Sequence, residues 1–179
     1  YLVTEAGFGS DLGAEKFMNI VCRLGDMTPN AVVLVASVRA LQYHGLDQWP
    51  VDYDEVDNAG VDAVEAGFAN LDKHVRNLQG FGVPVVVAVN RFPDDADAEV
   101  EAVLEHCRED LGVRAAESEV FEKGSEGGVD LGERVIAAVD ESDEDEFTYL
   151  YDDEAPIQEK IETIATEIYG ADGVKFTGG

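Results

Sequence analysis

The stretch Val3-Thr4-Glu5-Ala6-Gly7-Phe8-Gly9-Ser10-Asp11-Leu12-Gly13-Ala14-Glu15-Lys16-Phe17 concentrates residues that could hold a ligand. Gly7, Gly9 and Gly13 can take positive φ and bring main-chain N–H groups close to a bound molecule. Glu5 and Asp11 place carboxylates at the mouth of such a loop. The pattern predicts a short strand, a glycine loop and then a helix beginning near Leu12. That order aims the positive end of the helix at whatever sits on the loop. On glycine spacing alone, a tight structural turn reads equally well.

Arg39 follows an apolar run, Ala31 to Ala36, that reads as a buried strand. In α/β sheets the carboxyl ends of strands are where ligands bind, so a guanidinium there could hold a phosphate or carboxylate, with His44 five residues on. Pairing with one of the many acids in the chain is the structural alternative. A second apolar strand, Val83 to Val89, runs into Asn90-Arg91-Phe92-Pro93-Asp94-Asp95. That ending resembles the base-reading loop of GTPases, but Pro93 stands where the required Asp would be.

Metal chemistry has little support. Cys22 and Cys107 stand apart, with no CxxC and no clustered histidines, and His106 beside Cys107 is a neighbour pair and not a ligand set. Both cysteines fall on apolar helix faces and read as buried free thiols.

The elements that must position these residues alternate between β-branched runs and amphipathic segments, the signature of βαβ units in a parallel sheet. Ala31 to Ala36 and Val83 to Val89 read as fully buried strands, and Arg114 to Val120 as a third. Val61, Val64, Phe68, Leu71, Val75 and Leu78 keep helical spacing, so 58–81 reads as one long helix, with Asn70, Lys73 and Arg76 on or beside its other face. A helix follows Pro93, with Asp94 and Asp95 as capping candidates and Val100, Val103, Leu104, Cys107 and Leu111 as its apolar stripe. Phe121 to Gly128 reads as loop and Val129 to Val139 as helix. The acidic run Glu141 to Glu146 reads as a solvated connection. Phe147, Tyr149 and Tyr151 alternate as in a short strand, and Trp49 reads as core or interface packing. Ile157, Ile161, Ile164 and Ile168 stripe a last helix, with Pro156 at its first turn and Gly170 as C-cap. The residues just before Thr177-Gly178-Gly179 read as a new strand.

The charge is lopsided: 39 acidic residues oppose 12 basic ones, for a formal net charge of −27. Nucleic acid and anionic membranes are therefore poor partners. Five lysines and acids spread along the whole chain fit a solvated coat for a salt-rich cytoplasm, and hence a halophilic source. No secretory segment or run of eighteen apolar residues occurs, and the expected location is cytoplasmic. Without an initiator methionine, and opening in mid-strand at Tyr1-Leu2-Val3, the chain reads as part of a longer polypeptide.

Five stretches together resemble the formate–tetrahydrofolate ligase family, also called formyltetrahydrofolate synthetase. They are Val3 to Phe17; Val35-Ala36-Ser37-Val38-Arg39-Ala40-Leu41-Gln42-Tyr43-His44-Gly45; Val83 to Asp95; Ser118 to Gly124; and Tyr149-Leu150-Tyr151-Asp152 with Glu159 to Val174. The resemblance covers essentially the whole chain and a middle portion of the family. Departures from its usual pattern are Ser37 for Thr, Gln42 for Lys, Leu46 for a second Gly, Ala96 for Thr and Phe121 for Trp.

The resemblance implies an α/β fold of parallel-sheet βαβ units from a P-loop-NTPase-like enzyme. Residues 1–75 would end a nucleotide-binding domain, and 76–179 would form a second α/β domain contributing to a folate pocket. It implies ligation of formate to tetrahydrofolate with ATP and magnesium, through formyl phosphate that N10 of the folate attacks, giving 10-formyltetrahydrofolate. A monovalent cation, a homo-oligomer and the remainder of the ligase chain are further implied partners. The nucleotide would meet Glu5, Ala6, Gly7, Phe8, Gly9, Asp11, Leu12 and Gly13. The folate would meet Asn90, Phe92, Pro93, Glu119 and Phe121, with Phe92 stacking on the pterin. Arg39 is the catalytic candidate. No GxxxxGK[ST] occurs in the sequence, so the γ-phosphate has no evident holder here and the chain alone is expected to be inactive. The alternative is a non-catalytic module that binds a pterin or nucleotide or assembles with a partner.

Overall fold

The structure, a computed structural model, describes residues 1–46, 50, 53–56 and 58–177. Trp49 lies outside the described residues. Strands β1 (Val32–Ala36), β2 (Val85–Asn90) and β3 (Arg114–Ser118) form a sheet in the order β1-β2-β3, with both pairings parallel. In register, Val33 faces Val86 and Val87 faces Ala115. The class is α/β, as the alternating pattern implies.

The sheet is connected by α1 (Ser10–Lys16), which continues through a π-helical stretch (Phe17–Cys22) into α2 (Arg23–Gly25), then α3 (Val38–Leu46), α4 (Tyr53–Val56), α5 (Gly60–Ala66) and α6 (Phe68–Gln79). After β2 come α7 (Asp97–Glu109), β3, α8 (Val120–Lys123), a 3-10 turn (Gly124–Gly128) and α9 (Val129–Asp140). The chain ends with a 3-10 turn (Glu144–Glu146), α10 (Ile157–Thr163) and a π-helical turn (Ile164–Ile168).

One face of the sheet carries the main core: Val85, Val87 and Val89 pack with Val38, Leu41, Val64, Leu71, Val75, Leu78, Val100, Val103 and Cys107. Burying each such side chain is worth roughly 1.5–3 kcal/mol. The opposite face of β2 and β3 lies under α9, where Ala138 is fully buried. That cover stops short of β1. Val33 is 41% and Val35 65% exposed, so the apolar run expected to be buried on both faces is an edge strand buried on one.

The long helix expected over 58–81 is two, meeting at Gly67. A Cβ at Gly67 would lie 2.1 Å from the carbonyl oxygen of Leu41, and one at Gly45 1.9 Å from that of Ala63. Backbone-to-backbone contact between α3 and the α5–α6 pair therefore admits only glycine at both points. His106 joins α6 to α7. Its two ring nitrogens hydrogen-bond Asp72 (2.6 Å) and Asp110 (3.0 Å), and the ring stacks on Phe68 at 4.0 Å.

A second cluster, Met18, Cys22, Phe81, Val83 and Ile168, docks the C-terminal segment on the α1–α2 rod. Phe147, Tyr149 and Tyr151 lie on irregular chain and not on the expected strand. Arg23 holds that chain by donating to the Tyr151 carbonyl (2.7 Å) and covering the Tyr149 ring at 3.9 Å, while the Leu150 N–H donates to Asn19 Oδ1 (2.9 Å). Of the isoleucine stripe, Ile164 and Ile168 pack inward and Ile157 and Ile161 are exposed. Gly170, at φ +68°, closes the helix as expected, and no strand follows through Thr177.

Candidate functional site at the carboxyl edge of the sheet

Parallel pairing brings the carboxyl ends of all three strands to one edge. From β2 the chain leaves Asn90 for Arg91-Phe92-Pro93-Asp94-Asp95, and the turn is tied locally. The Phe92 N–H donates to Asp95 Oδ2 (2.9 Å), and the Asp95 N–H returns a bond to the Phe92 carbonyl (3.0 Å). With its carboxylate spent there, Asp95 does not cap α7. The N-cap is Ala96, whose N–H donates to Glu99 Oε2 (3.0 Å), half of a capping box. Of the two expected caps, Asp95 thus ties the loop, and neither it nor Asp94 caps the helix, whose start is left to Glu99.

From β3 the chain passes through Glu119 into α8, where a loop was expected. The Glu119 N–H donates to the Gly127 carbonyl (3.0 Å), and Lys123 Nζ donates to Glu119 Oε2 (2.6 Å). A Cβ at Gly127 would lie 2.5 Å from the Glu119 carbonyl oxygen, so glycine there allows this fold-back. Its consequence is the placement of Phe121, 71% exposed, against Phe92, 39% exposed. Their ring centroids are 5.8 Å apart and the planes are inclined at 51°. Two aromatic rings thus stand side by side and half in solvent, on loops from adjacent strands.

Arg91 stitches the two loops. Its N–H donates to the Ser118 carbonyl (3.0 Å), its Nη1 to Glu117 Oε1 (2.7 Å), and its Nη2 to the Asp97 carboxylate. Bonding to Glu117 first and Asp97 second pushes the guanidinium above its already high ordinary value and keeps it charged.

The glycine loop is built differently from expectation. Residues 1–7 are exposed and form no strand. The positive φ falls on Phe8 (+67°), whereas Gly9 is extended at φ −62°. Helix α1 starts at Ser10, two residues before Leu12. Gly13 is buried because the loop folds back on it: a Cβ there would lie 2.0 Å from the Gly7 carbonyl oxygen. The loop's anchor comes from α6, where His74 Nδ1 lies 2.6 Å from Ser10 Oγ. Burial pushes His74 below its ordinary value, nearby His44 adds to the effect and Asp11 opposes it. The neutral imidazole that this favours shares a hydrogen bond with the Ser10 hydroxyl. Burial first and the neighbouring Asp11 carboxylate second push the Tyr169 hydroxyl above its ordinary value.

Arg39 is exposed in the first turn of α3, where Ser37 Oγ accepts the Ala40 N–H (3.3 Å). Gln42 is buried and donates to Glu99 Oε1 (2.8 Å), so Glu99 links α3 to the start of α7. Among the described residues no group of three or more His, Cys, Asp or Glu could hold a metal ion, and no helix is long and apolar enough to cross a membrane.

A family model described as formate–tetrahydrofolate ligase matches residues 1–179. The chain belongs to that family. A formate–tetrahydrofolate ligase of Haloarcula marismortui is 79% identical over 179 residues, covering 100% of this chain and 32% of its own. One of Haloquadratum walsbyi is 73% identical over 177 residues, covering 99% of this chain and 30% of its own. The chain spans about a third of the length of these relatives. Both come from halophiles, in keeping with the acidic coat.

Of the ligase-family residues expected to act, the structure brings Phe92 and Phe121 together, with Asn90, Pro93 and Glu119 on the same two loops. The glycine loop is held from another element, α6, through Ser10 and His74. Sequence reasoning missed Arg91, Glu117 and the Ser10–His74 pair. Arg91 beside Phe92 was a visible signal. Its partner Glu117 is 26 residues away, and only strand register identifies it.

Proposed function

We propose that this chain is the part of a formate–tetrahydrofolate ligase that stacks the folate and contributes to the nucleotide pocket. The full reaction joins formate to tetrahydrofolate with ATP through formyl phosphate, giving 10-formyltetrahydrofolate. The observation that carries the reading is the Phe92–Phe121 pair at the carboxyl ends of β2 and β3. Two exposed rings on facing loops offer a planar heterocycle apolar area on both sides, and Asn90 and Glu119 offer polar groups for its edge.

The nucleotide reading rests on Glu5, Ala6, Gly7, Phe8, Gly9, Asp11, Leu12 and Gly13. Glu5 and Asp11 suit ribose hydroxyls or ring amines and repel a polyphosphate, so the nucleoside end of ATP is what fits this loop. ATP supplies the phosphoryl group that activates formate, and magnesium would travel with its phosphates, since no GxxxxGK[ST] is encoded in these residues. Arg39, exposed in the first turn of α3, is the catalytic candidate, its guanidinium being of the charge an anionic intermediate calls for. A homo-oligomer and a monovalent cation belong to the same reading, as does a division into residues 1–75 and 76–179.

The test uses a full-length ligase in which these 179 residues replace the matching segment of the Haloarcula marismortui relative. Phe92→Ala should raise the tetrahydrofolate KM several-fold or more, because an aromatic stack is worth about 0.5–1.5 kcal/mol. An unchanged folate KM would remove Phe92 from the pocket. The isolated chain should show no turnover with ATP, formate and tetrahydrofolate. The missing GxxxxGK[ST] also supports a second reading, a non-catalytic pterin- or nucleotide-binding module. Folate binding by the chain with no turnover in the full-length ligase would favour it.

A further inference from the structure

We propose that Arg91 is a positioning residue for tetrahydrofolate, clamping the ends of β2 and β3 so that the roots of the Phe92 and Phe121 loops stay fixed while the rings adjust to the ligand. The inference rests on the reading that these two rings hold the pterin.

Arg91 is the residue between the end of β2 and Phe92, and Glu117 lies on β3 four residues before Phe121. Their contact at 2.7 Å therefore spans from the root of one aromatic loop to the root of the other. The Arg91 N–H to Ser118 bond carries the β2–β3 ladder one residue beyond the last paired position, Asn90 with Ser118. Asp97, in the first turn of α7, holds the far end of the Phe92 loop to the same guanidinium.

The two arms of this clamp are unequal. Arg91 and Glu117 side chains are 25% and 30% exposed, whereas Asp97 is 92% exposed. In molar salt, where screening acts within about 3 Å, the Asp97 contact is weakened more than the sheltered Glu117 contact. Glu117 is therefore the arm that matters. A planar fork reaches two carboxylates at once, which a lysine ammonium on a flexible stem does less well.

The gap between the rings is narrow. A heterocycle sandwiched between two rings needs about 7 Å between them, twice a van der Waals contact of about 3.5 Å. At 5.8 Å and 51° the rings must part and turn toward parallel to admit it. A clamp at the roots of the loops limits that movement to the loop tips. Without it, the strand ends splay and the bound geometry is one among many.

The test compares Arg91→Ala, Arg91→Lys, Glu117→Gln, the swap Arg91→Glu with Glu117→Arg, and Phe92→Ala in the same full-length chimera, at fixed high salt. The expected result is a tetrahydrofolate KM raised about five-fold or more in Arg91→Ala and Glu117→Gln, less in Arg91→Lys, and partly restored in the swap. The KM values for ATP and formate and the melting temperature should stay at the parent values. If Phe92→Ala raises the folate KM but the Arg91 and Glu117 variants leave it within about two-fold, the positioning role is overturned and the pocket stands. A parallel rise in all three KM values with a lowered melting temperature would overturn it too, as a general structural effect. If Phe92→Ala itself leaves the folate KM unchanged, the pocket reading falls and takes this inference with it.

Discussion

Phe92 and Phe121 face each other across the ends of two adjacent parallel strands, their centroids 5.8 Å apart and their planes inclined at 51°. The usual family residue at the second position is Trp, whose ring has more area and an N–H donor. Phe121→Trp should therefore lower the tetrahydrofolate KM of a full-length ligase by about two- to ten-fold, the range of one added aromatic contact. Steady-state kinetics with folate varied at saturating ATP and formate measures it, and a raised KM would mean that the pocket has adapted to the smaller ring.

His74 makes stability depend on pH through the glycine loop. Its folded value lies below the ordinary 6.5 because burial disfavours the imidazolium. The unfolded chain therefore takes up the proton first as pH falls. The stability His74 contributes is complete above about pH 6.5 and is lost as pH falls through the lower folded value. The melting-temperature advantage of the parent over His74→Asn should shrink between pH 7.5 and pH 5 at constant salt. An advantage that grows on acidification would contradict the sign of the shift.

Glycines on two helix surfaces should respond in opposite senses to the same substitution. Gly45→Ala and Gly67→Ala each drive a methyl against backbone oxygen at 1.9 and 2.1 Å, so each should destabilise by about 1–3 kcal/mol. Gly132, in α9 with nothing within 4 Å of an added Cβ, should gain about 0.5–1 kcal/mol on change to Ala. Urea unfolding curves of the three variants at one salt concentration decide the matter.

The net charge of −27 should make folding salt-dependent. Repulsion among the carboxylates extends about 30 Å at 0.01 M salt and about 3 Å at 1 M. The melting temperature should climb as KCl is raised over that range, and a flat curve would sink the halophilic reading of the coat. Thiol labelling gives an independent readout. Cys22 and Cys107 are fully buried, and burial pushes the Cys107 thiol up to about 12. Neither should react with iodoacetamide at high salt, and both should react once low salt unfolds the chain.

Much of this protein was determined along the chain itself. The run Val83 to Val89 had to supply a buried strand, because so β-branched a stretch has no solvated alternative, and β2 takes it from Val85 and runs one residue further, to Asn90. The stripes Leu71-Val75-Leu78 and Val100-Val103-Cys107 had to face a core for the same reason. Family membership was equally legible, in five short stretches of local wording. What tertiary structure alone decided are the properties that depend on a second element. Val33 and Val35 match a buried strand in composition, yet lie beyond the reach of α9. The helix over 58–81 breaks at Gly67 only because α3 crosses there. Asp95 looks like a helix cap until the Phe92 N–H claims its carboxylate. Positive φ passes from the glycines to Phe8 once the Gly7 carbonyl packs against Gly13. Most of all, the pairing of Phe92 with Phe121 and of Arg91 with Glu117 spans more than twenty residues of chain. Only the parallel register of β2 and β3 brings those side chains within contact, and no local pattern encodes a register.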